Sequence, residues 1–138
     1  MNIQDIYRQS KDKYLSSEDA KNLLHNLNDY IKTLDKKPQK GEFTGRNASN
    51  AILAYRNLYQ KFKSLRGDIT KESENICSII KHYTPFFNAQ NIANTLNAMA
   101  SLGLSVKGLE KQLRSAVSRN VEDFSDLAEV VPGLIVDK

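Results

Sequence analysis

FNAQNIANTLNAMASLGL, residues 87–104, is the stretch whose pattern decides the fold. Asn88 is a residue type that caps a helix by accepting a bond from an orphan backbone N–H. Ile92, Ala93, Leu96, Met99 and Leu102 follow at helical spacing, and Gly103 stands where a left-handed terminal residue belongs. An earlier stretch, FTGRNASNAILAY from Phe43, runs parallel to it at a constant offset of 44 residues. Phe43 matches Phe87, Asn47 matches Asn91, Asn50 matches Asn94, and Ala54 matches Ala98. A weaker third copy starts at Phe124. Each full copy opens a helix that a second helix follows, so residues 43–85 and 87–120 read as two helical hairpins. One hairpin cannot bury its apolar face alone, and stacking is the solution open to it. The small Ala48, Ala51, Ala93 and Ala98 suit close helix approach, and Phe43 and Phe87 are placed to plug the seam.

Working outward, the same period runs through the rest of the chain. Ile3, Ile6 and Tyr7 mark a short helix over 3–13. Ser16 or Ser17 caps a second, whose stripe runs Ala20, Leu23, Leu24, Leu27, Tyr30, Ile31 and Leu34 before Pro38. A third helix spans 46–65, with Ala48, Ala51, Ile52, Tyr55, Leu58, Tyr59 and Phe62 inward and Gly67 as its terminal glycine. A fourth starts near Asp68 or Thr70 and stops at Pro85. A sixth opens at Ser105, with Val106, Leu109, Leu113, Ala116 and Val117 inward and Gly108 in its first turn. A seventh covers 121–131, and an apolar Leu134-Ile135-Val136 tail follows. The prediction is one all-α domain over 1–138: N-terminal helices to 37, two hairpins, then a capping helix and an acidic apolar tail over 121–138.

Composition removes several function classes. One cysteine in 138 residues excludes an internal disulfide framework and a cysteine-based zinc site. Two histidines leave little for a histidine metal site. No apolar run approaches the ~20 residues of a membrane span, and the N-terminus lacks an apolar signal core. Cytoplasm is the expected location, with signal-independent delivery into a host cell compatible. No membrane, small-molecule substrate, cofactor or metal is expected. Net charge is +4, but residues 121–138 hold five acids and one base, leaving +8 over residues 1–120. A basic body of this kind attracts acidic partners or nucleic acid.

The 87–104 stretch resembles the degenerate hairpin repeats of the octotricopeptide and heptatricopeptide type, related to those of FAST-kinase-like proteins. Gln90, Ile92, Ala93, Asn94, Thr95, Leu96, Ala98, Leu102 and Gly103 carry the resemblance. It implies a small α-solenoid. Organellar proteins with such repeats bind RNA, and related repeats occur in proteins of intracellular bacteria. This chain departs at Asn97, where those repeats usually place a tryptophan or another bulky residue, and it holds about two copies.

No nucleophile–base pair, P-loop or glycine fingerprint is present. Cys77 sits beside Ile76 and Ile80, and His82 lies about 140° round the helix from it, so a structural thiol is expected. His25 reads as a surface residue. Glu18-Asp19 and Glu122-Asp123 fall in first helical turns, where carboxylates complement the dipole. The unusual feature is asparagine at Asn88, Asn91, Asn94 and Asn97, with Asn47, Asn50 and Asn57 on the matching helix, because asparagine is a mediocre helix former. Asn47, Asn50, Asn88, Asn91, Asn94 and Asn97, with Leu134 and Ile135, are the candidate surface for a protein partner; alternatively Asn50 and Asn94 bond across the hairpin seam. Arg56, Lys63, Lys107, Lys111, Arg114 and Arg119 form basic stripes that would track phosphates if the partner were RNA. The expectation is a non-enzymatic protein-binding adaptor or regulator, as of a bacterial effector, with RNA binding as the alternative.

Overall fold

The computed structural model describes residues 2–34, 36–38, 41 and 43–120. Among them are seven α-helices and no strand: α1 (Ile3–Ser10), α2 (Ser17–Lys32), α3 (Thr44–Lys61), α4 (Arg66–Thr70), α5 (Ser73–Tyr83), α6 (Ala89–Leu102) and α7 (Glu110–Arg119). Short 3-10 turns cover Lys63–Leu65 and Thr84–Phe86. The all-α prediction therefore holds. The proposed helix over 121–131 and the Leu134–Val136 tail lie outside the described residues.

Helix α3 is the axis. An amphipathic helix on a surface buries one stripe, whereas a helix buried in succession along its length is surrounded. Ala51, Ile52, Leu53, Ala54 and Tyr55 are all buried in a row. The reason is visible in the packing: α6 lies most extensively on α3, and α1, α2 and α5 also pack against it. Both α3 and α6 bury small side chains. Ala48, Ser49, Thr95 and Ala98 are each at most 1% exposed. Ser49 Oγ and Thr95 Oγ1 are buried with no hydrogen-bond partner among the described residues, a desolvation cost tolerated where bulk would not fit. At the far end, Gln60 Nε2 donates to Ser101 Oγ at 3.2 Å.

The tightest point is Gly45 in the first turn of α3. A Cβ there would run into the Phe86 carbonyl oxygen, lie 2.9 Å from its carbon and 3.2 Å from Asn91 Oδ1. Glycine is used here for approach, since its φ is not in the left-handed region. The turn it touches is held on its other side by α7. Arg119 Nη2 donates to the Thr84 carbonyl at 3.0 Å, and Asn120 Nδ2 donates to the Phe87 carbonyl at 3.5 Å. Phe87, just before α6, is buried. Phe43 differs: it is 45% exposed and its ring carries the Arg46 guanidinium at 4.3 Å.

Two predicted glycine roles are corrected. Gly67 does not end the third helix. That helix breaks at Phe62, whose φ of −126° and ψ of 97° are extended, and the chain recoils into α4 with Gly67 inside it. Arg66 Nε donates to the Tyr59 carbonyl at 2.8 Å and pins the recoil. The fourth predicted helix accordingly begins at Ser73, not at Asp68 or Thr70. Gly108 does not sit inside the sixth helix. Its φ is +87°, so it turns the chain, and α7 starts at Glu110. Ser105 Oγ accepts from Lys107 N–H at 3.0 Å, a local turn that competes with helix. Val106 is left 44% exposed.

Replacing Gly45 with alanine should cost more than about 2 kcal/mol, although alanine is ordinarily the better helix former. Gly67→Ala, with nothing within 4 Å of the new methyl, should instead stabilise by up to about 1 kcal/mol. Urea unfolding of the two variants checks the opposite signs.

Candidate functional site

The asparagines resolve into distinct jobs. Asn88 caps α6: its side chain accepts from Asn91 N–H at 2.8 Å, while Asn91 Oδ1 accepts from Asn88 N–H at 3.1 Å. This reciprocal box satisfies two orphan donors at once. Asn47 Oδ1 accepts from Gln4 Nε2 at 2.8 Å and ties α3 to α1. Asn94 Oδ1 accepts from Gln90 Nε2 at 3.0 Å, a bond within its own helix and not across the seam. Asn50 is half-buried, and Asn97 is exposed. Asn57 is a tie the sequence analysis did not single out as a site. It donates to Ser10 Oγ at 3.1 Å from a buried position. Leu134 and Ile135 lie outside the described residues.

The basic stripes divide similarly. Arg56 Nη2 donates to Asn57 Oδ1 at 2.8 Å. Arg119 holds the Thr84 carbonyl, and Arg114 also has a partner. Lys63, Lys107 and Lys111 are exposed. Of the aromatic residues on α3, Tyr55 is fully buried and its hydroxyl donates to Asn28 Oδ1 at 2.7 Å. Burial, with Glu72 adding to it, pushes the Tyr55 phenol well above its ordinary value.

His25 is a surface residue paired with Asp29 at 3.3 Å. Cys77 is half-buried, and burial raises its thiol pKa. A nucleophilic thiol requires the opposite shift. Among the described residues, no three His, Cys, Asp or Glu side chains converge in a metal-binding group.

The packing does leave a groove. Both α2 and α5 lie against α3 but scarcely touch each other. Between them is a cleft of about 160 Å³. Asn75, Ser78, Ile79 and His82 supply one face of α5, and Ile31, Leu34 and Tyr83 make the apolar floor. Lys32 and Lys36 stand on the α2 side. Sequence reading missed this cleft because it joins two helices more than 40 residues apart whose polar positions look like ordinary wet faces.

A protein family described as Protein of unknown function (DUF1601) matches the chain twice, over residues 73–96 and 103–126. The two matches support a pair of degenerate repeats. The first runs through α5 and into α6, and so frames the unit as the second helix of one hairpin with the first helix of the next. No curated protein and no solved structure gives a match.

Asn88→Ala should remove about 1 kcal/mol of stability through loss of the cap, and Asn97→Ala, at an exposed site, should stay within about 0.5 kcal/mol of the parent. Thermal unfolding of both variants checks this. Alkylation of Cys77 by iodoacetamide in the folded protein at neutral pH should be slower than that of a free thiol. It should accelerate only as pH rises past the usual thiol range, and a rate above that of free cysteine would contradict the buried-thiol assignment.

Proposed function

We propose that this chain is a non-catalytic helical-repeat module that binds a protein partner, working in the cytoplasm of its own cell or of a host. The observation that carries the reading is the α2–α5 groove on a rigid hairpin stack. Its volume is about 160 Å³, below the roughly 300–1,000 Å³ that encloses a metabolite. It is enough for a side chain presented by another protein. The twice-matched repeat family supports a stacked scaffold, the architecture that solenoids use to display extended binding surfaces. Asn97, with Asn94 and Asn50 on the matching hairpin positions, remains available to the proposal as part of that surface. Asn47, Asn88 and Asn91 contribute by holding the helices in place. No helix among the described residues is long and apolar enough to cross a membrane.

RNA binding is the second reading, supported by exposed Lys63, Lys107 and Lys111 and by net +8 over residues 1–120. Against it, three of the six candidate cations already have protein partners. Single-strand binding also draws on aromatic platforms, and among the described residues the strongly exposed aromatic rings are Tyr14 and Phe43.

Fluorescence anisotropy of a labelled random RNA at about 50 to 200 mM salt separates the two. The protein-binding reading predicts weak binding with a shallow salt dependence. Affinity falling about a thousandfold over that range, as six phosphate contacts require, would establish the RNA reading in its place.

A further inference from the structure

The α2–α5 groove has a definite chemistry. Its floor is apolar and ends in Ile31, Leu34, Ile79 and Tyr83. Ile31, Ile79 and Tyr83 are each under 10% exposed, so they form a fixed surface and not a loose patch. Asn75, Ser78, Ile79 and His82 follow the i, i+3, i+4, i+7 spacing of one helix face, so the groove runs along α5. On the α5 side, Glu72 accepts from the Asn75 amide at 2.8 Å. The α2 side presents two exposed lysines, Lys32 at the end of α2 and Lys36 in the chain just beyond it, and neither is in an ion pair among the described residues. The long-range field acts in the same direction, since the body carries +8 over residues 1–120.

We propose that this groove docks an acidic peptide segment of a partner protein that inserts one apolar side chain between α2 and α5. The proposal rests on the protein-binding reading above and adds the partner's chemistry. The apolar side chain sits on Ile31, Ile79 and Tyr83. Flanking carboxylates meet Lys32 and Lys36, while Asn75, Ser78 and His82 offer hydrogen bonds along the peptide's other edge. The volume admits one anchor, so affinity comes from the anchor together with charge, as is usual where a few buried contacts dominate an interface.

The test uses the full chain and a short fluorescein-labelled peptide of Glu and Asp around a single Leu. Anisotropy should report saturable binding. Replacing the peptide Leu by Ala should weaken it at least about tenfold, as should Lys32→Glu with Lys36→Glu in the protein, each a loss of at least about 1.4 kcal/mol. Ser78→Phe, which fills the groove from a half-exposed position without changing charge, should do the same, with circular dichroism confirming that it folds. Equal affinity for the Leu and Ala peptides, or for a Lys-substituted peptide, would overturn the proposal. So would sedimentation showing that the peptide-free chain self-associates through Lys32 and Lys36, since a second copy would then be the occupant. If Ser78→Phe retains a protein partner that the parent chain captures, this groove is overturned while the protein-binding reading stands. If the parent binds neither peptide nor protein, both fall.

Discussion

Among the described residues the packing is arranged around α3, and its most extensive contact is with α6. Two helices can approach only as closely as their side chains permit, and here Gly45 marks the close approach at the start of α3, while the small Ala48, Ser49, Thr95 and Ala98 are buried along the two helices. At Gly45 the limit is backbone itself, because the Phe86 carbonyl occupies the space where a methyl would stand. That carbonyl belongs to the turn that ends α5, leads into α6 and receives Arg119 and Asn120 from α7. One glycine therefore couples the start of α3 to three other elements. Ser49 Oγ and Thr95 Oγ1 are buried with no hydrogen-bond partner among the described residues, and leaving such a group unpaired costs about 1–3 kcal/mol.

The same constraint gives the asparagines their meaning. Asparagine is unfavourable inside a helix by a few tenths of a kcal/mol, and a surface full of it invites a functional explanation. Asn88 and Asn91 close a capping box at the point where α6 meets the Gly45 turn, and Asn47 and Asn57 tie α3 to α1. These amides fix helix ends and helix register. What reaches solvent is a smaller set, and the proposed binding surface lies between helices, where α2 and α5 diverge over α3.

Much of the fold was legible because caps and apolar stripes are local signals. Ser16, Asn88 and Gly103 mark helix ends through their own geometry, and the stripes of α2 and α6 follow one face. Three features were not local. The burial of α3 along five successive residues depends on four neighbours, which a single stripe cannot announce. Gly67 and Gly108 looked alike in sequence as glycines near helix ends, but only Gly108 takes the left-handed conformation. The difference lies in Phe62, which ends α3 early, and in Ser105, whose hydroxyl forms a turn. The basic stripes were visible as charge, while their engagement was not, because Arg119 finds the Thr84 carbonyl 35 residues away. The α2–α5 groove was illegible for the same reason: its two walls share no sequence pattern, and it exists only because both pack on α3.

The central claim, that the α3–α6 seam is the most stable unit and the rest depends on it, is tested most directly by native-state amide hydrogen exchange. The account predicts that the slowest amides lie in the buried middles of α3 and α6 and share one opening free energy equal to that of global unfolding. Slowest exchange in α2 or α5, or distinct opening free energies for α3 and α6, would contradict it.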